Sequence, residues 1–161
     1  MRDWVDSYLS DDRENSRREM RLSDLAVQGA PLLFQELAAQ IESDVAKWEN
    51  AKHYGVRYES SPSSKFTLRS PSGKLPYARM DVDLVGLDIV CTMTRKRDST
   101  CSPETLPLLR FRISSDLTGN VQIFKNGTPI EDESALSKEL LLPFFDYLRA
   151  SQVSSRLEVA V

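Results

Sequence analysis

Histidine, cysteine, glycine-rich motifs and long apolar runs are all scarce in this chain, and each scarcity removes a class of function. His53 is the only histidine, so chemistry that needs two imidazoles is excluded. A lone histidine after a helix, in "AKHYG", reads as a helix-end side chain favoured by the helix dipole. It lacks the companions that a metal ligand or general base requires. The two cysteines, Cys91 and Cys101, are too far apart for a metal knuckle or a redox pair, and two reduced thiols are expected. Cys91 falls on the oily side of a strand, where cysteine behaves as a small hydrophobe. Cys101, in a polar loop, is the one candidate reactive thiol.

Ser72-Gly73-Lys74 lacks the earlier glycine of a phosphate-binding loop and reads as a turn. Neither G-x-S-x-G, H-E-x-x-H nor a calcium-loop spacing occurs. Charge of one sign is not in excess: 21 basic against 24 acidic residues give a net charge of -3, so a large electrostatic contribution to nucleic-acid binding is not expected, a local basic patch aside. No apolar stretch is long enough to span a bilayer. The opening "MRDWVDSYLSDDRENSRREM" breaks into charges where a signal peptide would be oily. A cytoplasmic chain is therefore expected, with no membrane association and no cofactor.

What is present suits one folded domain over residues 1–161, with 40% hydrophobic and 28% charged residues. Residues 1–54 read as helical. Trp4, Val5, Tyr8 and Leu9, then Met20, Leu22, Leu25 and Ala26, recur at helical spacing; Asp11 with Glu14 resembles a capping signal, and Gly29 a stop. One or two helices are expected there, then a longer one from Pro31. Its face carries Phe34, Leu37, Ala38, Ile41, Val45 and Trp48, and Gly55 closes it.

From residue 55 to 125 the period falls to two, the signature of strands. In the first hairpin Tyr58 is expected opposite Phe66 and Glu59 opposite Lys65. In "YARMDVDLVGLDIVCTMT", a turn at Val85-Gly86 sets Leu84 against Leu87, Val82 against Ile89 and Met80 against Cys91 on the apolar side. The polar side then pairs Arg79 with Thr92, Asp81 with Val90, and Asp83 with Asp88. Leu109, Phe111, Ile113, Val121 and Ile123 complete the apolar face, and Asn126-Gly127 forms a turn after the last strand.

Residues 131–150 form a closing helix capped by Asp132 or Ser134, with Pro143 kinking or breaking it near Leu142. Residues 151–161 are a tail or a short strand. The fold expected is α+β: an antiparallel β-meander of about six strands, with the N-terminal helices and the Pro-kinked C-terminal helix packed on one face.

Three functions compete. The first is a non-enzymatic cytoplasmic interaction domain, adaptor- or chaperone-like, that holds another protein or a second copy. Tyr77, Arg79, Arg110 and Arg112 on the polar sheet face, or Trp4 and Tyr8 on the N-terminal segment, would make the contact. Packing on the protein's own core is the commoner fate of residues such as Trp4 and Tyr8. The second is a small-molecule cup between the sheet and the C-terminal helix, near Phe144, Phe145 and Tyr58. The third is a metal-dependent enzyme using Asp81, Asp83 and Asp88. Against it stands a structural charge ladder in which Arg110 and Arg112 neutralise these carboxylates. Arg95-Lys96-Arg97 reads as a solvated basic loop.

Overall fold

The computed structural model describes residues 3–61, 64–71, 77–96, 100, 102–130 and 132–150, and the backbone of 151–159. Cys101, Ser72-Gly73-Lys74 and Arg97 lie outside the described residues.

A single helix, α1, runs from Trp4 to Lys52, 49 residues long. The two breakers expected to divide it do not. Gly29 lies within α1 because the helix passes close to the sheet there: a Cβ at this position would stand 3.0–3.2 Å from the Val121 side chain. Pro31 also lies inside the helix. It is exposed, as is Val27, whose carbonyl loses the N–H of residue 31 but faces water that can replace it. Asp11 and Glu14 fall mid-helix rather than at a start. The true end comes before Gly55: His53 adopts the left-handed conformation (φ 55°), and its N–H donates to the Glu49 carbonyl at 2.9 Å. Gly55 N–H then donates to Glu49 Oε2 at 2.8 Å.

Seven strands follow as one antiparallel meander in chain order. They are β1 (Arg57–Ser61), β2 (Lys65–Arg69), β3 (Tyr77–Val85), β4 (Asp88–Lys96), β5 (Glu104–Ser115), β6 (Val121–Lys125) and β7 (Thr128–Ile130). The seventh arises because Asn126 (φ 52°) and Gly127 (φ 80°) make a two-residue hairpin turn rather than an exit.

The expected faces are present, but the expected partners are shifted by two residues. In the β3–β4 hairpin Leu84 pairs with Ile89, Val82 with Cys91, Met80 with Met93 and Val85 with Asp88. The turn is Gly86-Leu87, with Gly86 at φ 64°. Glycine at the first central position suits a type II′ turn, whereas Val85-Gly86 would have forced a β-branched residue toward positive φ. The first hairpin shifts likewise: Tyr58 pairs with Leu68 and Glu59 with Thr67. Between β4 and β5 a bulge at Cys91/Thr92 leaves Leu108 without a direct partner beside Pro107. Proline is tolerated at such an irregularity because the ladder is already broken.

The last helix, α2, spans Glu133–Val159. Asp132 Oδ1 accepts the Ser134 N–H at 3.0 Å, which identifies the capping residue. The helix continues through Pro143 and through the stretch expected to be a tail. No glycine or proline follows Pro143 to stop it.

Both helices roof the same side of the sheet. Phe34, Leu37, Ile41 and Val45 from α1 and Leu136, Leu140, Phe144, Phe145 and Leu148 from α2 form one buried cluster. Within it lie Phe66, Leu68, Met80, Val82, Ile89, Cys91, Phe111 and Ile113. The helices are joined to each other as well: Trp48 stacks on Phe145 at 4.2 Å, and the buried Ser137 hydroxyl donates to Asp44 Oδ2 at 2.5 Å. Cys91 is buried here, and loss of hydration pushes its thiol up to about 12, with Asp81 adding to the shift. No helix among the described residues is long and apolar enough to cross a membrane.

Candidate functional site

The polar side of the sheet resolves into two separate charge clusters. In the first, Asp81 accepts hydrogen bonds from Thr67 Oγ1 at 2.8 Å and from Arg79 Nε and Nη2 at 3.2 and 3.1 Å. Lys65 Nζ lies 3.8 Å from both Asp81 and Asp83. In the second, Asp88 accepts from Arg110 Nη2 at 2.7 Å and from Arg112 Nη1 at 3.2 Å. The Arg110 guanidinium, reinforced by the charge of Arg112, holds the Asp88 carboxyl below its ordinary value of 3.8.

The expected meeting of Asp83 with Asp88 does not occur. Asp83 pairs with Val90, and Asp88 with Val85 on one side and Arg112 on the other. Among the described residues no group of three or more His, Cys, Asp or Glu is placed to hold a metal ion. The arginines are also dispersed. Arg79 pairs with Thr94 and Arg110 with Val90, so they stand two strands apart and four residues along β4, about 13 Å in the strand direction at 3.3 Å per residue. Tyr77, opposite Lys96, belongs to the Arg79 end.

A titration checks the Asp88 pairing. Its folded pKa is lowered, so its contribution is complete above the unfolded value and lost as pH falls through the lowered folded one. Asp88→Asn is expected to cost about 0.2–1 kcal/mol at pH 7, the range of screened ion pairs. The difference from the parent chain in urea unfolding should shrink steadily as the pH falls below the ordinary carboxyl value of 3.8 and through the lowered folded one. A difference that stays constant with pH would mean that the two arginines do not act on this carboxylate.

The residues named for the cup border separate clefts rather than one pocket. Phe144 is fully buried. Phe145 borders a cleft of about 190 Å³ with Trp48 and Leu141, and Tyr58 borders another of about 240 Å³ with Phe34 and Glu42. A larger cleft of about 360 Å³ lies between Leu33, Leu37, Val121, Ile123 and Leu136. It lies between the sheet and the start of α2, with α1 closing one side, and none of its lining residues is among those named for the cup.

Trp4 and Tyr8 lie apart from all of this. Every residue from Asp3 to Arg21 is exposed, and burial in α1 begins with Leu22 and Ala26. The expectation that Trp4 and Tyr8 pack on the body is therefore overturned: they are 76% and 65% exposed, and Met20 is 68% exposed. At 1.5 Å per residue the eighteen residues from Trp4 to Arg21 form an arm about 27 Å long. Its root is fixed where Ser115 Oγ donates to the Leu22 carbonyl at 2.6 Å. Sequence spacing gives the apolar side of a helix but carries no information on whether anything covers it. No family profile, curated protein or solved structure matches the chain.

Proposed function

We propose that this chain is a non-enzymatic, cytoplasmic protein-interaction module that grips its partner with the helical arm Trp4–Arg21. The observation that carries the reading is the arm's exposure, with Trp4, Tyr8 and Leu9 solvent-facing at helical spacing. Helices in proteins draw most of their stability from packing an amphipathic face, which this arm lacks, and Trp and Tyr are among the side chains that most often dominate binding energy at interfaces. The polar sheet face is a weaker base for the same reading, since the charges of Arg79, Arg110 and Arg112 are engaged by Asp81 and Asp88.

The test compares the full chain with Trp4→Ala/Tyr8→Ala as bait under quantitative recovery. The parent chain should hold one protein stoichiometrically, and the double variant should lose it by a factor of roughly 100 or more, as expected when anchor residues are truncated. Melting temperatures should match, because neither side chain is buried. Equal retention by both chains would sink the proposal. The 360 Å³ cleft beside Leu33 and Val121 supports a small-molecule reading as second choice. A metabolite that raises the melting temperature of the parent chain, but not that of a Val121→Trp chain, would favour it.

A further inference from the structure

The first eleven residues of the arm are acidic in balance, with Asp6, Asp11, Asp12 and Glu14 against Arg13, and Asp3 stands just before them. The next seven are basic, with Arg17, Arg18 and Arg21 against Glu19. Among the described residues no ion pair forms along the arm, and Asp6, Asp11 and Asp12 have no basic residue three or four positions further on with which to form one. Two such arms laid side by side in opposite directions would bring each acidic half against a basic one. We infer that the arm's partner is the arm of a second copy, paired antiparallel about a two-fold axis; this rests on the reading of the arm as the binding element.

The register follows from the heptad spacing. Val5, Tyr8, Asp12, Asn15, Glu19 and Leu22 fall at alternating three- and four-residue steps and form one seam. The same stripe continues into Ala26, which is buried against the body, so the seam points to the side on which the sheet lies. With the arms reversed, Val5 meets Leu22 of the second copy, Tyr8 meets Glu19, and Asp12 meets Asn15. The apolar layer sits at each end. The inner layers each match a donor, the Tyr8 hydroxyl or the Asn15 amide, with a carboxylate acceptor. On one flank of the seam Asp11 meets Arg18 of the second copy, and Trp4 meets Leu25.

Leu25 is itself exposed and lies against the β5–β6 turn, 3.5 Å from where a Gly119 Cβ would stand; the same turn carries the exposed Leu117. Each contact occurs twice by symmetry. With aromatic side chains burying about 150–250 Å² each when fully covered, two Trp4 and two Tyr8 supply roughly 600–1,000 Å² at most, to which Val5, Leu22 and Leu25 add, against the roughly 1,000 Å² at which specific association begins.

Charge reversal across this register distinguishes it from any other arrangement. In sedimentation equilibrium of the full chain, the parent protein should be a dimer. D11R and R18D should each dissociate roughly tenfold more readily, since each turns two attractive pairs into repulsive ones. Mixing D11R with R18D should restore the dimer as a heterodimer, because each Asp11–Arg18 contact is then again between opposite charges. D11R/R18D in a single chain should associate within about threefold of the parent, the charges being exchanged but still paired. At concentrations where all four are monomeric they should melt together, because these side chains are exposed in the single chain.

A parent chain that stays monomeric at the highest soluble concentration would overturn the inference, and so would single variants that weaken without rescue on mixing. Either result would leave the arm as a docking element intact if Trp4→Ala/Tyr8→Ala still released a different protein. Loss of no partner at all by that variant, in a chain that still forms the rescued dimer, would instead confine the arm to self-association.

Discussion

Phe66→Ala should lower the stability of the fold by about 3–5 kcal/mol, the range for deleting a large aromatic side chain from a packed interior. Phe66 is fully buried, with its ring centroid 5.5 Å from that of Phe34 and 5.8 Å from that of Tyr58. It is where helix α1, edge strand β1 and strand β2 come together, and its backbone pairs with both Ser60 and Val82. Removing the ring leaves a cavity that three elements border. Two of them are backbone ladders that cannot collapse inward without breaking hydrogen bonds. Against a typical total of about 5–15 kcal/mol, such a loss is a large fraction of what keeps the chain folded. Equilibrium urea unfolding at constant m-value measures it, and Phe66→Leu should recover most of the difference. A loss under about 1 kcal/mol would contradict the docking of α1 over β2, since no buried ring of this size is removed so cheaply.

Pro31→Ala should act in the opposite sense and stabilise the protein by about 2 kcal/mol. Proline inside a helix costs about 3 kcal/mol relative to alanine through the missing N–H and the ring's clash with the carbonyl four residues back. Alanine restores the donor to the Val27 carbonyl. The gain is reduced by about 0.4–1 kcal/mol because the unfolded chain becomes freer when proline is removed. Pro31 is exposed, so no packing is lost. At about 2–4 °C per kcal/mol for a domain of this size, the melting temperature should rise by about 4–8 °C. A fall would show that the docked half of α1 needs the proline's geometry to follow the sheet, with Phe34 and Leu37 displaced when it is gone.

The same residue shows why part of this fold is legible in the sequence and part is not. Gly29 and Pro31 are poor helix residues, and local propensity sets a boundary between them. The structure keeps one helix because burial of Ala26, Ala30 and Phe34 along a continuous face outweighs a local cost of a few kcal/mol. Strand faces follow the alternation of the residues: Val82 and Ile89 are sealed, and Arg79 stands on the polar side. Parity fixes a face but is blind to a shift of two residues. It therefore sets Asp83 against Asp88, whereas the cation beside Asp83 is Lys65 and Asp88 belongs to Arg110 and Arg112. Only the handedness that a glycine permits, at Gly86, decides between the two registers. Trp4 and Tyr8 stand out in the sequence as candidates for binding, yet whether the body covers them is a property of where the sheet ends, and no periodicity within α1 encodes it.

The seventh strand governs how copies of this chain behave when crowded. Lys125 and Thr128 flank the two-residue turn and take the hydrogen-bonded position, so Pro129, opposite Phe124, turns its nitrogen outward from the sheet. Among the described residues that rim consequently offers a neighbouring chain no outward amide to grasp. Lateral growth is left to β1 alone. A sheet joined edge to edge through β1 therefore ends at two chains, and any further association has to run through another surface such as the arm.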